Sequence, residues 1–128
     1  MDASYTLTLP ADTVKPDFTT GEIFFVGTAT VLLRYAGFTI LTDPNFLHKG
    51  DHVHLHYGIK SARLTNPAIE LEELPQLDFI VLSHMHEDHF DRVVEQKLDK
   101  KLPIITTAHA TDKLKQKGFH AAQAIATW

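Results

Sequence analysis

The sequence predicts an α/β fold: a mixed sheet with helices packed on a sheet face. Three observations lead there. Short apolar runs that read as strands occupy residues 23–26, 31–35 and 38–42, spaced closely enough for a hairpin meander. Two further runs, 79–82 and 102–106, are each followed by a helical pattern. That alternation favours helices on a sheet face, with right-handed crossovers where neighbouring strands run parallel.

Taken in order, residues 5–9 alternate apolar and polar side chains, the period of an edge strand. Residues 10–21 carry two prolines among polar residues and read as a loop, so 1–21 form an N-terminal arm. Strands 31–35 and 38–42 meet at Ala36-Gly37, a tight hairpin. Asp43-Pro44 ends the second of them, because Pro44 has no N–H for the ladder. Residues 44–66 read as one long irregular loop bearing His48, His52, His54 and His56. Residues 67–74 are expected to be a short helix with Pro67 in its first turn. In 91–98, Val94 and Leu98 stack at i, i+4 behind Asp91 as N-cap. Thr107 caps a helix that runs to about residue 117, and Gly118 stops it. Residues 121–128 read equally well as strand or helix. Phe24, Phe25, Phe38 and Phe79 are expected in the core.

A chain of 128 residues fits one domain and can bury a core. Its 44% hydrophobic and 22% charged content is ordinary for a globular protein. A net charge of −4 without any basic cluster argues against a nucleic-acid partner. Cysteine is absent, which excludes disulfides and thiolate ligands, so any metal must use His, Asp or Glu. Met1 to Thr6 lacks the positive start and apolar run of a signal peptide. No apolar stretch approaches the ~20 residues of a membrane span. The expected compartment is the cytoplasm.

The densest chemistry lies at residues 83–89, Ser-His-Met-His-Glu-Asp-His, directly after the apolar strand 79–82. His84, His86, Asp88 and His89 put four donors on one tight loop. Neutral imidazole and carboxylate are the ligands that borderline divalent metals take. The plain alternative is a loop of solvated histidines. His52, His54 and His56 alternate, so an extended backbone would set all three on one side. That stripe is either a second metal site or substrate-facing wall, or a solvated polar face. His109 opens a helix after a strand, where anions are favoured; it lines a pocket, or caps the helix or sits at the surface. Ser83 has no evident partner base, so it reads as a turn former rather than a nucleophile.

The His84–His89 motif resembles the metal-binding signature of the metallo-β-lactamase superfamily of hydrolases. Upstream, Phe24-Phe25-Val26-Gly27-Thr28-Ala29-Thr30, Val31 to Tyr35, and Gly37 to Asp43-Pro44 resemble that family's opening hairpin and aspartate-bearing strand end. The Thr42-Asp43-Pro44 form and the run from Asp78 to His84 are most similar to the branch with ascorbate-phosphate lactonases and N-acyl-phosphatidylethanolamine phospholipases. The resemblance covers about residues 22–118. It implies an αβ/βα sandwich, of which residues 22–128 would form an incomplete first half.

It also implies a site. His84 and His86 would hold one metal, Asp88 and His89 a second, with Asp88 counted as catalytic. The metal would be zinc, two ions in the complete site, with Mn2+ or Fe2+ as substitutes. Ions about 3.5–4 Å apart can share a hydroxide that attacks an ester, lactone or phosphoester bond of a small-molecule substrate. Asp43 would accept a hydrogen bond from a ligand histidine, or would simply cap the turn before Pro44. The family fold is longer than this chain and draws its remaining ligands from a second half. After His89 only His109 and His120 remain. The expectation is therefore a truncated hydrolase domain whose uncovered sheet self-associates. The competing, non-enzymatic reading is a catalytically incomplete metal-binding fragment or self-associating module.

Overall fold

The computed structural model describes residues 21–54, 60–86 and 89–126, and of residues 53, 54, 60 and 61 the backbone only. Six strands form one sheet: β1 (Glu22–Gly27), β2 (Thr30–Tyr35), β3 (Phe38–Thr42), β6 (Phe79–Val81), β7 (Ile104–Thr106) and β8 (Ala122–Ala124), in that spatial order. The first three are an antiparallel meander. The rest run parallel to β3 and to one another. Helix α1 (Arg92–Lys97) links β6 to β7, and α2 (Ala108–Gln116) links β7 to β8. A separate antiparallel pair, β4 (His52–His54) and β5 (Lys60–Ala62), lies within the stretch expected to be irregular.

Local signals account for most boundaries. Ala36 and Gly37 both have positive φ, 52° and 83°, as a two-residue type I′ hairpin turn requires. Asp91 starts α1 by accepting from Val94 N at 2.8 Å. Thr107 does the same for α2 from Ala110 N at 3.2 Å. At the far end of α2, Gly118 (φ 95°) lets Phe119 N donate to Leu114 O and Gly118 N to Lys115 O, a Schellman cap. The ambiguous C-terminal stretch is strand at Ala122–Ala124.

Register decides what is buried. Leu32, Leu41, Ile80, Ile104 and Ala122 are successive partners across five strands and share one face. All are at most 6% exposed. Both helices cover that face with Val94, Leu98, Ala110 and Leu114, and Phe90 meets Phe119 edge-on at 5.5 Å. Each such buried aliphatic side chain contributes about 1.5–3 kcal/mol. The other face carries Phe25, Val31, Thr42, Val81 and Ile105 in one row and Ile23, Leu33, Ile40 and Phe79 in the next. No described helix packs there. Ile23 is 74% exposed and Phe25 63%.

Three expectations need correction. Residues 67–74 give only a single 3-10 turn at Leu71–Glu73, because Leu74 precedes Pro75 and is held extended (ψ 140°). Phe24, Phe25, Phe38 and Phe79 are not in the core, Phe79 being half-buried in the uncovered-face row beside Ile40. Phe25 and Phe38 alternate onto the uncovered face, and Phe24 points to the packed side but sits on the edge strand. The stretch 44–66 contains the β4–β5 pair rather than loop alone. The expected strand at 5–9 and the end of the 121–128 segment lie outside the described residues. Among the described residues, no helix is long and apolar enough to cross a membrane.

Candidate metal centre

Strands β3 and β6 are parallel neighbours, so their carboxyl ends lie side by side. Open α/β sheets bind ligands at the carboxyl ends of their strands. Asp43 follows β3 and Ser83 to His89 follow β6. Asp43 itself holds φ 36°, a left-handed conformation uncommon outside glycine. Its N–H donates to Val81 O at 3.0 Å, extending the β3–β6 ladder by one rung, and its C=O accepts from Thr30 Oγ1 at 2.7 Å. Fixed at both backbone ends, its carboxylate reaches across to the next loop.

There Asp43 Oδ1 accepts from Ser83 N at 2.7 Å and from Ser83 Oγ at 3.0 Å. Asp43 Oδ2 lies 3.4 Å from His89 Nδ1. Ser83 Oγ also lies 2.9 Å from His84 Nδ1 and 3.3 Å from His89 Nδ1. The loop folds back because His89 N and Phe90 N both donate to His86 O at 2.8 Å. That turn sets the His84 ring 4.0 Å from His89 at an interplanar angle of 46°, and edge-on at 4.5 Å from His86.

Behind the loop sits a buried polar layer. Asp91, fully buried, caps α1 and accepts from Phe46 N. Burial pushes its carboxyl up, and backbone N–H groups of Val94, Phe46, Val93 and Leu47 pull it back. Arg63 is 7% exposed and donates through Nη1 to the backbone and side-chain oxygens of Asn45. Burial lowers the Arg63 guanidinium, while the Asp91 charge opposes that. Gly27, at the bulge of β1 with φ 148°, admits this arginine: a Cβ there would lie 2.6 Å from Arg63 Nη2. These contacts anchor both chain segments that leave the site.

Of the residues singled out from sequence, the structure brings together Asp43, His84, His86 and His89. Asp88 lies outside the described residues, as do His56 and the side chain of His54. His52 is exposed, its carbonyl accepting from Arg92 at 3.0 Å, and His109 is exposed on the first turn of α2. Neither belongs to the network around Ser83. Among the described residues, no three side chains are already arranged as a group able to hold an ion. The donor chemistry nevertheless fits a borderline divalent metal: three imidazoles, with His84 in ring contact with both His86 and His89, beside a carboxylate. The sequence points to Ser83 only as a turn former, whereas its hydroxyl lies between Asp43, His84 and His89. Its only signal was its place between a strand end and the first histidine.

Comparison with known proteins agrees with this architecture. The beta-lactamase superfamily domain matches residues 22–127, and the chain belongs to that family. N-acyl-phosphatidylethanolamine-hydrolyzing phospholipase D 1 of Caenorhabditis elegans is 36% identical over 81 residues, 63% of this chain and 22% of that protein. An isothiocyanate hydrolase from Delia radicum gut bacteria superposes with a TM-score of 0.72 at 22% identity, covering 84% of this chain and 42% of its own. A possible metal-dependent hydrolase from Veillonella parvula gives 0.71 at 21% identity, covering 80% and 41%. At such identities the superpositions show a shared fold. The chain spans 40% or less of the curated relatives' lengths.

Proposed function

We propose that this chain carries the histidine-rich metal-binding element of a metal-dependent hydrolase that acts on ester, lactone or phosphoester bonds of small molecules. The observation that carries this reading is the contact of His84, His86 and His89 at the shared carboxyl end of β3 and β6, with Asp43 and Ser83 behind them. In this reading His84 and His86 hold one zinc ion, and Asp88 and His89 the other. Mn2+ or Fe2+ are substitutes. Bound metal would supply a Lewis acid for the scissile group and would lower the pKa of a water toward about 7. Asp43 and Ser83 orient the imidazoles. Four donors are fewer than two four-coordinate ions take, so the shell draws on further ligands. Family membership and the phospholipase relative support the reaction class.

The test is zinc binding together with hydrolysis of an aryl ester, a lactone and an aryl phosphodiester by zinc-, manganese- and iron-loaded protein. Zinc binding, with or without metal-dependent turnover, that disappears in His84→Ala/His86→Ala is the supporting result. Turnover that survives both substitutions, or that needs no metal, overturns the proposal.

A second reading, self-association, rests on a different observation: the uncovered apolar face, with Ile23, Phe25, Tyr35 and Val81 all exposed. Large exposed apolar patches mark association sites. Light scattering should show a dimer or larger species that Phe25→Ser/Val81→Ser weakens. A monomer at all concentrations removes this reading.

A further inference from the structure

We infer that Ser83 is a positioning residue that fixes His84 and His89 in the same tautomer, protonated at Nδ1 with the lone pair on Nε2. A hydroxyl has one proton and two lone pairs. Three groups surround Ser83 Oγ: Asp43 Oδ1 at 3.0 Å, His84 Nδ1 at 2.9 Å and His89 Nδ1 at 3.3 Å. The ionised carboxylate has no proton to give and is the strongest acceptor of the three, so the hydroxyl proton points at Asp43. The lone pairs of Oγ then face the two rings. Each Nδ1 must bring its own proton, because a ring lone pair there would meet an oxygen lone pair.

Two further contacts support this assignment. Ser83 N donates to the same Asp43 oxygen at 2.7 Å, which fixes the carboxylate relative to the hydroxyl. Asp43 Oδ2 lies 3.4 Å from His89 Nδ1 and draws a proton to that atom. The reverse assignment, with Ser83 donating to His84 Nδ1, would leave Ser83 Oγ and Asp43 Oδ1 as two unprotonated oxygens 3.0 Å apart.

Asp43 thus meets His89 through its own oxygen and His84 through the serine hydroxyl. The consequence for metal rests on the function proposed above. A neutral imidazole ligates through the nitrogen that carries its lone pair, and its other nitrogen sets which one that is. One hydroxyl therefore selects Nε2 on two ligands at once. No exchange of tautomer is then needed on binding.

The test reads the tautomers directly in metal-free protein. Long-range 1H–15N spectra of histidine-labelled chain, taken near pH 8 where ordinary imidazoles are neutral, should give the Nδ1–H pattern for His84 and His89. In Ser83→Ala, His84 should lose that pattern, while His89 should keep part of it through Asp43. Ser83→Thr keeps the hydroxyl and should restore both. Zinc affinity measured by calorimetry should fall about 10–100-fold in Ser83→Ala and recover in Ser83→Thr. An Nε2–H pattern for His84 in the wild type overturns the inference, whether or not the variants fold. Tautomers unchanged in a folded Ser83→Ala overturn it too. Nδ1–H tautomers in a protein that binds no zinc would sink the metal reading and leave the role of Ser83 in place.

Discussion

The two faces of the sheet are built from the same kinds of residue and have opposite fates. On the helix side, Leu41 and Ile80 are fully buried. One residue further along the same strands, Thr42 and Val81 turn to the other side, and Val81 is 39% exposed. Nothing in side-chain chemistry separates Ile80 from Val81; the period of two does, together with the helices' choice of side. The difference teaches where each kind of energy resides. Packing energy lies on the covered face. The strand ends carry a polar network instead, in which hydrogen bonds from Asp43, Ser83 and Asp91 do what side-chain packing does elsewhere.

The sharpest way to break this comparison is to truncate one residue on each face. Leu41→Ala should lose about 2–5 kcal/mol of stability, the usual penalty for emptying a packed aliphatic site. Val81→Ala, on the adjoining strand, should lose about 1 kcal/mol or less. Urea unfolding reads both. Equal losses would mean that the second face is as covered as the first.

A somewhat smaller effect should follow at the polar layer under the loop. Asp91→Ala removes the cap of α1, worth about 0.5–2 kcal/mol. It also strands the buried Phe46 N–H, at about 1–3 kcal/mol. The expected loss is about 2–4 kcal/mol, partly restored in Asp91→Asn, which keeps an acceptor oxygen. If Asp91→Ala unfolds at the wild-type urea concentration, the hydrogen bonds there are not supporting the loop.

The smallest effect belongs to the outermost contact. His48 Nε2 lies 2.8 Å from both Glu70 oxygens, and that carboxylate raises the His48 pKa above its usual value of about 6.5. A raised folded-state value means the pair helps folding below about pH 6.5, and the help fades as pH climbs through the raised value. Both partners are exposed, so solvent screens it strongly. In Glu70→Gln, the His48 titration followed by NMR should move down toward 6.5 with no change in the urea midpoint. An unmoved titration would show that Glu70 is not the cause.

How much of this was readable in advance depends on how local the cause is. The hairpin at Ala36-Gly37, the Asp91 and Thr107 caps and the Gly118 stop each follow from a few neighbouring residues, and each stands where the sequence put it. The expected 67–74 helix is cut to one turn by an equally local cause, the restriction Pro75 places on Leu74. Strands β4 and β5 escaped because His-Val-His and Lys-Ser-Ala carry no apolar run. The phenylalanines were misplaced because residue type says nothing about which face of a sheet acquires helices. At the site, the histidine motif and Asp43 were legible as residues. What joins them was not, since Ser83 meets Asp43 only through the pairing of β3 with β6, 40 positions apart in sequence.

The proposed metal site is the loop after β6, braced by Asp43 and Ser83. Calorimetric zinc titration of the wild type, His84→Ala/His86→Ala, Asp43→Ala and His52→Ala near neutral pH tests it most directly. We expect zinc binding in the wild type and a loss of at least about 100-fold in the double variant. Asp43→Ala should lose about 10–100-fold, as supporting contacts to ligands do, and His52→Ala nothing. Wild-type affinity in the double variant, with a loss in His52→Ala instead, would contradict the account and move the metal site to the β4 histidines.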